Sequence, residues 1–163
     1  MFFLKDLPSD ETLCKLEERY ENMSKTALEC CILLMRAGSD LMAIFEKILA
    51  QFGLSQGGFL TLIVLNRKPY KKITPSVLAD KVGVTRATMT GLLDTLTKDG
   101  LIERLQHKED GRKTVIALTI KGRKHLDSIL PGYYHDISLL LSELTETEQK
   151  TLILCLNRVI EIL

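Results

Sequence analysis

The sequence predicts a mainly α-helical protein that contains one small β-hairpin. Most of the chain places apolar residues at spacings of three and four, which are typical of amphipathic helices. Ser or Thr residues precede most of these stretches, where they can cap the start of a helix. Two short stretches with partial alternation and β-branched residues, 101–106 and 114–119, flank a charged segment and predict paired strands.

The composition is that of an ordinary globular protein, with 45% hydrophobic and 26% charged residues. Cysteines at positions 14, 30, 31 and 155 form no C-x-x-C pair and have no His at metal-ligand spacing. We therefore expect reduced, mostly buried cysteines, no metal site and no cofactor. No apolar run approaches the ~18 residues of a membrane span, and the N-terminus lacks signal-peptide features. These features predict a cytoplasmic protein with no membrane partner.

Charge is unevenly distributed along the chain. Residues 66–125 contain 14 Lys and Arg against 6 Asp and Glu, whereas the remainder contains 8 against 15. The net charges of the two parts are therefore +8 and −7, which give the +1 of the whole chain. A basic middle between acidic ends indicates contact with a polyanion such as nucleic acid, although solvated surface charge gives the same pattern.

Two helices are predicted at the N-terminus. Ser9 can cap a short amphipathic helix whose apolar stripe has nothing obvious to pack on except a partner. A long helix follows over residues 24–52 and ends at Gly53. It is apolar over much of its circumference, which predicts burial on several sides and favours a second subunit as its cover. Ser55 can then cap a third helix.

The next segment predicts a helix-turn-helix. Thr74 as N-cap and Pro75 at the first helical position predict a short helix that ends at Gly83. Thr85 caps the following helix, which closes at Gly100. Two helices joined by a turn of about three residues with a Gly match the helix-turn-helix outline. A plain helical hairpin is the alternative.

A β-hairpin follows directly. The stretches LIERLQ and TVIALT are the predicted strands, and Asp110-Gly111 is a turn dipeptide in the charged segment HKEDGRKT between them. A hairpin after a helix-turn-helix describes a winged helix, with the hairpin as the wing.

The C-terminal part predicts two more helices. Thr119 caps a long helix that Pro131-Gly132 kinks or interrupts before it resumes. Thr145 and Glu148 form a capping box that opens the last helix. The apolar stripe of this last helix reaches the end of the chain and needs a partner surface.

The chain resembles the MarR (multiple antibiotic resistance regulator) family of winged helix-turn-helix transcriptional regulators. The resemblance covers roughly residues 28–163 and is strongest over 74–122, in LADKVGVTRATMTGLLDTLTKDGLIER and DGRKTVIALTIKG. It implies a homodimer that binds a pseudo-palindromic operator in double-stranded DNA. The predicted parts are an N-terminal extension and dimerisation helix (1–53), a winged helix-turn-helix DNA-binding domain (54–120) and C-terminal dimerisation helices (121–163). Residues 1–23 have no counterpart in the common family pattern.

The first set of expected DNA contacts lies on the second helix of the helix-turn-helix. Its N-terminal turns should face the bases of the major groove and present Thr85, Arg86, Thr88 and Thr90. Few of these side chains can read a base bidentately, so phosphate contacts should supply much of the affinity.

The second set lies on the wing. The resemblance implies that Arg112 reaches into the minor groove and that Asp110 helps to orient it. Narrow A·T minor grooves concentrate negative potential, which favours a guanidinium. Lys108 and Lys113 can hold flanking phosphates. A solvated loop is the alternative interpretation of the wing.

The resemblance also suggests what relieves repression. Many family members bind a small aromatic or phenolic effector, and the lining here would come from Met35, Met42, Phe45 and Phe59, although such an apolar stripe is more often plain core than a ligand pocket. The hydroperoxide-sensing branch has a reactive cysteine at the position of Cys31. The tyrosines that activate that thiol are replaced by Phe45 and Gln56 here, which disfavours redox sensing.

The sequence therefore predicts a dimeric, sequence-specific DNA-binding transcriptional regulator, a repressor released by a small molecule. An enzyme is not expected, because the chain has no H-E-x-x-H motif, P-loop or nucleophile elbow. One alternative is a thiol-based redox-sensing repressor that uses Cys31. The other is a winged-helix protein–protein interaction module, against which the basic middle argues.

Overall fold

The computed structural model describes residues 6–67, 73–106 and 114–162. The chain divides into two compact units, Met1–Gln56 and Gly57–Leu163. The described residues form seven α-helices and one two-stranded sheet. This confirms the predicted mainly helical winged-helix fold. The functional division at residues 53 and 120 stays a prediction.

The first unit contains helices α1 (Asp10–Arg19) and α2 (Lys25–Ala50). Helix α1 begins at the predicted cap Ser9, and α2 follows Ser24, the first residue of the predicted long helix. Each of these serine hydroxyls accepts a hydrogen bond from a backbone N–H three residues on. Gly53 adopts a φ of +69° just beyond α2, as expected of a glycine that ends a helix.

Helix α1 packs on α2, which the sequence did not predict. Leu13 is only 2% exposed. Lys25 Nζ lies 2.5 Å from Asp10 Oδ1, and the Lys25 backbone N–H donates to Glu17 at 2.9 Å. The Lys25 ammonium lowers the pKa of Asp10, and Asp10 raises the pKa of Lys25. The expectation that α1 can pack only on a partner is therefore wrong, because the short connection between the two helices lets α1 fold against α2.

The second compact unit carries the rest of the fold. Helix α3 begins at the last residue of the first unit, and the remaining elements follow in chain order: α3 (Gln56–Arg67), α4 (Pro75–Val82), α5 (Arg86–Lys98), β1 (Ile102–Gln106), β2 (Thr114–Leu118), α6 (Ile120–Leu140) and α7 (Glu146–Ile162).

The core of the second unit is apolar and involves every element from α3 to α6. Its fully buried side chains include Leu62, Leu78, Met89, Leu93, Ile116, Leu126 and Ile129. Thr61 is also fully buried, and its hydroxyl donates to the Gly57 carbonyl at 2.7 Å, so its polar group is satisfied.

Strands β1 and β2 pair antiparallel, from Ile102 opposite Leu118 to Gln106 opposite Thr114. Ile73 forms an additional bridge to Ile116, whose N–H donates to the Ile73 carbonyl at 2.8 Å. The predicted strands are therefore confirmed. Residues 107–113, which join them, lie outside the described residues.

Helix α6 is continuous from Ile120 to Leu140, with Pro131 inside it. Of the two predicted alternatives, the interruption is therefore wrong, whereas the kink stays a prediction. Proline removes one intrahelical hydrogen bond and disfavours a helix interior. Buried Leu126 and Ile129 precede it, and Tyr133 contacts Phe59 just after it, so packing favours one helix on both sides of the proline.

Helix α7 opens with the predicted capping box. The Thr145 N–H and hydroxyl both donate to Glu148 Oε2, at 2.8 and 2.7 Å, and the Glu148 N–H donates to the Thr145 hydroxyl at 3.3 Å. These hydrogen bonds lower the pKa of Glu148. None of the described residues of α7 is buried in the single chain.

The cysteines differ from the expectation of burial. Cys14 is half-buried, whereas Cys30, Cys31 and Cys155 are exposed. All four are free thiols, but three of them lie on faces of α2 and α7 that the single chain leaves uncovered. The prediction of mostly buried cysteines is thus wrong for the single chain, because it rested on the usual behaviour of intracellular cysteines and not on the helix faces that carry them.

Candidate nucleic-acid interface

A tight turn connects α4 to α5. Gly83 has a φ of +76°, a conformation that costs a glycine little. The N–H groups of Gly83 and Val84 donate to the Ala79 carbonyl at 2.9 and 3.1 Å, and Ala79 is 1% exposed. The small side chain of Ala79 and the left-handed glycine let two short helices meet closely, as a helix-turn-helix requires.

The inner face of α5 anchors this helix in the core. Met89, Leu93 and Leu96 are at most 2% exposed. Leu92 lies against α3, where a Cβ on Gly57 would stand only 2.9 Å from Leu92 Cδ1. Because the inner face is held so closely, the opposite face of α5 is presented in a fixed orientation.

The first turns of α5 present all four predicted contact residues on the surface. Thr85, Arg86, Thr88 and Thr90 are exposed. The Thr85 hydroxyl accepts from the Thr88 N–H at 3.1 Å and lies 2.9 Å from the Thr88 hydroxyl. The Thr90 hydroxyl donates to the Arg86 carbonyl at 3.0 Å.

These hydrogen bonds limit the further hydrogen bonds that the threonine hydroxyls can make to a ligand. Thr85 caps the helix, and Thr90 uses its only hydroxyl proton within the chain. A phosphate oxygen can only accept hydrogen bonds, so Thr90 in this conformation offers a methyl group to an apolar base edge. Arg86 is the one cation among the four predicted residues and the strongest candidate for a phosphate or guanine contact.

An ion pair that the sequence did not predict joins α5 to the hairpin. Arg104 Nη2 on β1 lies 2.5 Å from Asp94 Oδ1 on α5. The two residues are ten positions apart, so no helical or strand spacing indicates the contact. The pair ties the strand that leads to the wing tip to the helix that carries Arg86.

The far end of α5 is fixed to the start of α6. The Thr119 hydroxyl donates to the Gly100 carbonyl at 2.8 Å, and Lys121 Nζ donates to the Asp99 carbonyl at 2.6 Å. Gly122 is buried, and a Cβ there would stand 2.0 Å from the Leu101 carbonyl oxygen. Sequence reasoning identified Thr119 only as a cap and gave Lys121 no role.

The predicted wing contacts, Lys108, Asp110, Arg112 and Lys113, lie outside the described residues. The strand pair ends at Gln106 and Thr114, immediately before and after the segment that contains them. Their roles stay predictions.

The predicted effector residues fall on both units. Met35 and Met42 are 46% and 53% exposed and Phe45 is half-buried, all on α2. Phe59 on α3 is 3% exposed, and its ring centroid lies 4.8 Å from that of Tyr133. Burial raises the pKa of Tyr133. The effector role of the four predicted residues and the redox role of the exposed Cys31 stay untested.

Within residues 6–67, 73–106 and 114–162, no group of three or more His, Cys, Asp and Glu side chains could hold a metal ion. Over the same described part of the chain, no helix has the length and apolarity needed to cross a membrane.

Comparison with known proteins identifies the family. The model of the MarR family matches residues 54–114. The chain is 34% identical over 158 residues to the HTH-type transcriptional repressor YetL of Bacillus subtilis, which covers 97% of this chain and 95% of the relative.

Solved structures share the fold. The structure of MepR from the Staphylococcus aureus MepR–DNA complex has a TM-score of 0.70 at 22% identity and covers 80% of this chain and 94% of MepR. BpsR of Bordetella bronchiseptica, whose DNA binding is regulated by 6-hydroxynicotinic acid, has a TM-score of 0.70 at 21% identity and covers 80% and 98%. Since the likeness to YetL extends over nearly the whole of both chains, this protein belongs to the MarR family of winged helix-turn-helix transcriptional regulators.

Proposed function

We propose that this protein is a dimeric, sequence-specific DNA-binding repressor and that a small-molecule effector releases it from DNA. The observation that carries the proposal is the exposed N-terminal turn of α5, where Arg86 projects from a helix anchored on its inner face by Met89, Leu93 and Leu96. A helix held in this way can place its first turns in the major groove.

Positive charge around this helix supports DNA as the partner. The described residues of the basic middle present eight exposed cations, which are Arg67, Lys81, Arg86, Lys98, Arg104, Lys121, Arg123 and Lys124. Arg104 is paired with Asp94, and Lys121 caps the end of α5, so the others are better placed to meet phosphates. MepR, which shares the fold, has been solved in complex with DNA, and YetL is a repressor.

Uncovered apolar surface supports a dimer. On α7, Leu154, Ile160 and Ile162 are 66%, 67% and 85% exposed, and none of the described residues of that helix is buried. On α2, Leu33 and Leu34 are 48% and 42% exposed. Large exposed apolar patches are uncommon on monomeric proteins and mark interaction surfaces. A second copy of the chain that covers these faces would also cover Cys155 and the exposed cysteines of α2.

A small-molecule effector is the remaining part of the proposal. BpsR, with the same fold, responds to 6-hydroxynicotinic acid. Here, Met35, Met42, Phe45 and Phe59 would contact an aromatic or phenolic molecule, since thioether and aromatic groups provide adaptable apolar contacts.

The decisive experiment selects bound duplexes from a pool of DNA with a randomised core. We expect enrichment of a two-fold symmetric sequence whose half-sites are about one helical turn, or a multiple of it, apart, because two copies of α5 would enter successive major grooves. Sedimentation equilibrium of the protein alone should give twice the chain mass. Enrichment of no sequence, or a monomer at all concentrations, would refute the proposal.

A further inference from the structure

Gly91 lies inside α5 and is exposed. A glycine in the interior of a helix makes the helix less stable than alanine would, because the unfolded chain has more freedom to lose. An internal glycine on the helix proposed to enter DNA therefore raises the question of whether a group of the chain, or of something that the chain binds, occupies the space of the missing side chain.

Two other helix glycines have a reason within the chain. At Gly57, a Cβ would stand 2.9 Å from Leu92 Cδ1, where α3 and α5 meet. At Gly122, a Cβ would stand 2.0 Å from the Leu101 carbonyl oxygen. In both places a close neighbour leaves no room for a side chain.

Gly91 has no such neighbour. A Cβ built on it meets nothing within 4 Å. Its backbone is helical, and the described glycines with positive φ are Gly53, Gly83 and Gly100. The helix is continuous there, from Arg86 to Lys98, and the Thr95 hydroxyl donates to the Gly91 carbonyl at 3.1 Å. Nothing in the described part of the chain therefore excludes an alanine at this position.

The position of Gly91 around the axis of α5 shows which way a side chain at this residue would point. At 3.6 residues per turn, residue 91 lies roughly 160° from both Met89 and Leu93 around the axis of α5. Those two side chains are buried, so Gly91 faces almost directly away from the core. Thr90 is its neighbour in the chain, and Ala87 lies one turn before it on the same outer face.

We infer that the α5 backbone approaches a base pair most closely at Gly91, and that the methyl group of a thymine occupies the space a side chain would fill. The inference rests on the proposed DNA binding. A helix with its side chains is about 10–12 Å across and the major groove about 12 Å wide, so the fit is close. Because Gly91 has no side chain at this outermost position, the backbone of α5 can lie deeper in the major groove. The Cα of glycine is apolar, and thymine is the base with a methyl group in this groove.

Gly91→Ala tests this directly, because the substitution should improve the fold and impair recognition. We expect its thermal midpoint to rise by about 3 °C. Affinity for a duplex that the wild type selected from the randomised pool should fall at least about tenfold. Affinity for a random-sequence duplex should not change, since phosphate contacts dominate there. Fluorescence anisotropy measures both affinities.

Gly132→Ala is the matched control. Gly132 is also exposed inside a helix, and a Cβ there also meets nothing within 4 Å, but it lies on α6. We expect a similar rise in thermal midpoint and no loss of affinity for the selected duplex. Deoxyuridine supplies a second test, because it lacks the thymine methyl. When deoxyuridine replaces one particular thymine in each half-site of the selected duplex, the Gly91→Ala variant should bind this duplex with restored affinity.

The outcomes separate the inference from the proposed function. A wild type that binds neither duplex refutes the proposed function. A wild type that selects a duplex, together with a Gly91→Ala variant of equal affinity, refutes only the inference. A lower thermal midpoint for Gly91→Ala, or an equal loss of affinity in Gly132→Ala, also refutes it. If no thymine replacement restores binding, the methyl contact is wrong.

Discussion

Arg104 on β1 is ion-paired with Asp94 on α5, with 2.5 Å between Nη2 and Oδ1. The pair connects the two elements proposed to contact DNA, since α5 carries Arg86 and β1 leads to the wing tip. A contact between these elements, rather than within either one, can hold them in one relative orientation.

Breaking this pair should affect DNA binding more than stability. The two side chains are 40% and 63% exposed, so solvent screens them, and we expect a coupling free energy of about 0.2–1 kcal/mol. A double-mutant cycle of Asp94→Asn and Arg104→Gln in urea unfolding measures it. Each single variant should bind the selected duplex several-fold more weakly. Unchanged affinity in both variants would show that the pair does not position the wing.

The contact between α6 and Leu101, the residue before β1, should leave no room for a side chain at Gly122. Gly122→Ala places a Cβ against the Leu101 carbonyl oxygen, and a backbone atom cannot move aside as a side chain can. We expect a loss of about 1–3 kcal/mol in the free energy of unfolding, measured in urea at fixed protein concentration. Gly132→Ala is the control and should be slightly stabilising, since its Cβ lies in open space. Equal stability of the two variants would contradict the close approach.

Pro131→Ala should stabilise the protein. Helix α6 runs through Pro131 without interruption, so alanine restores a backbone N–H and removes the clash of the ring with the preceding turn. The gain in unfolding free energy can reach about 3 kcal/mol, the cost of a proline inside a helix. Thermal and urea unfolding measure it. A destabilised variant would indicate that the proline has a favourable packing role.

The capping box of α7 predicts a specific pH dependence. Hydrogen bonds from Thr145 lower the pKa of Glu148 below its ordinary 4.5. Glu148 therefore contributes its full stabilisation above about pH 4.5 and loses it as the pH falls through the lowered pKa, since the unfolded state binds the proton first. The stability difference between the wild type and Glu148→Gln should thus be constant near neutrality and shrink below that pH.

The control for this measurement is the same comparison in a Thr145→Ala background. Without the Thr145 hydroxyl, less of the pKa shift remains, so the difference should depend less on pH. An identical pH profile in both backgrounds would show that another group causes the dependence.

Features set by local interactions were predictable from the sequence. Ser9, Thr85 and Thr119 cap helices as predicted, because a cap needs only its own side chain and the next turn of backbone. The left-handed turn at Gly83 was predictable for the same reason.

Features set by contacts between distant segments were not predictable. The packing of Leu13, the Asp94–Arg104 pair and the continuity of α6 through Pro131 all depend on neighbours that no local spacing indicates. The exposure of Cys155 was missed for another reason, since the expected burial of the cysteines took no account of the apolar stripe of α7, which was predicted to need a partner surface. For the candidate interface, the sequence identified Arg86 and its neighbours but missed what holds them in place.

The most direct test of the account is the salt dependence of DNA binding by the wild type and by Arg112→Ala. For a protein that makes several phosphate contacts, affinity for the selected duplex should fall about 10³–10⁵-fold between roughly 50 and 200 mM salt. Arg112→Ala should stay folded and dimeric, bind far more weakly and show a smaller slope, by about one contact per protomer. Glu109→Ala, in the same segment, should retain tight binding. Affinity that does not change with salt, or an Arg112→Ala variant with unchanged affinity and slope, would contradict the account.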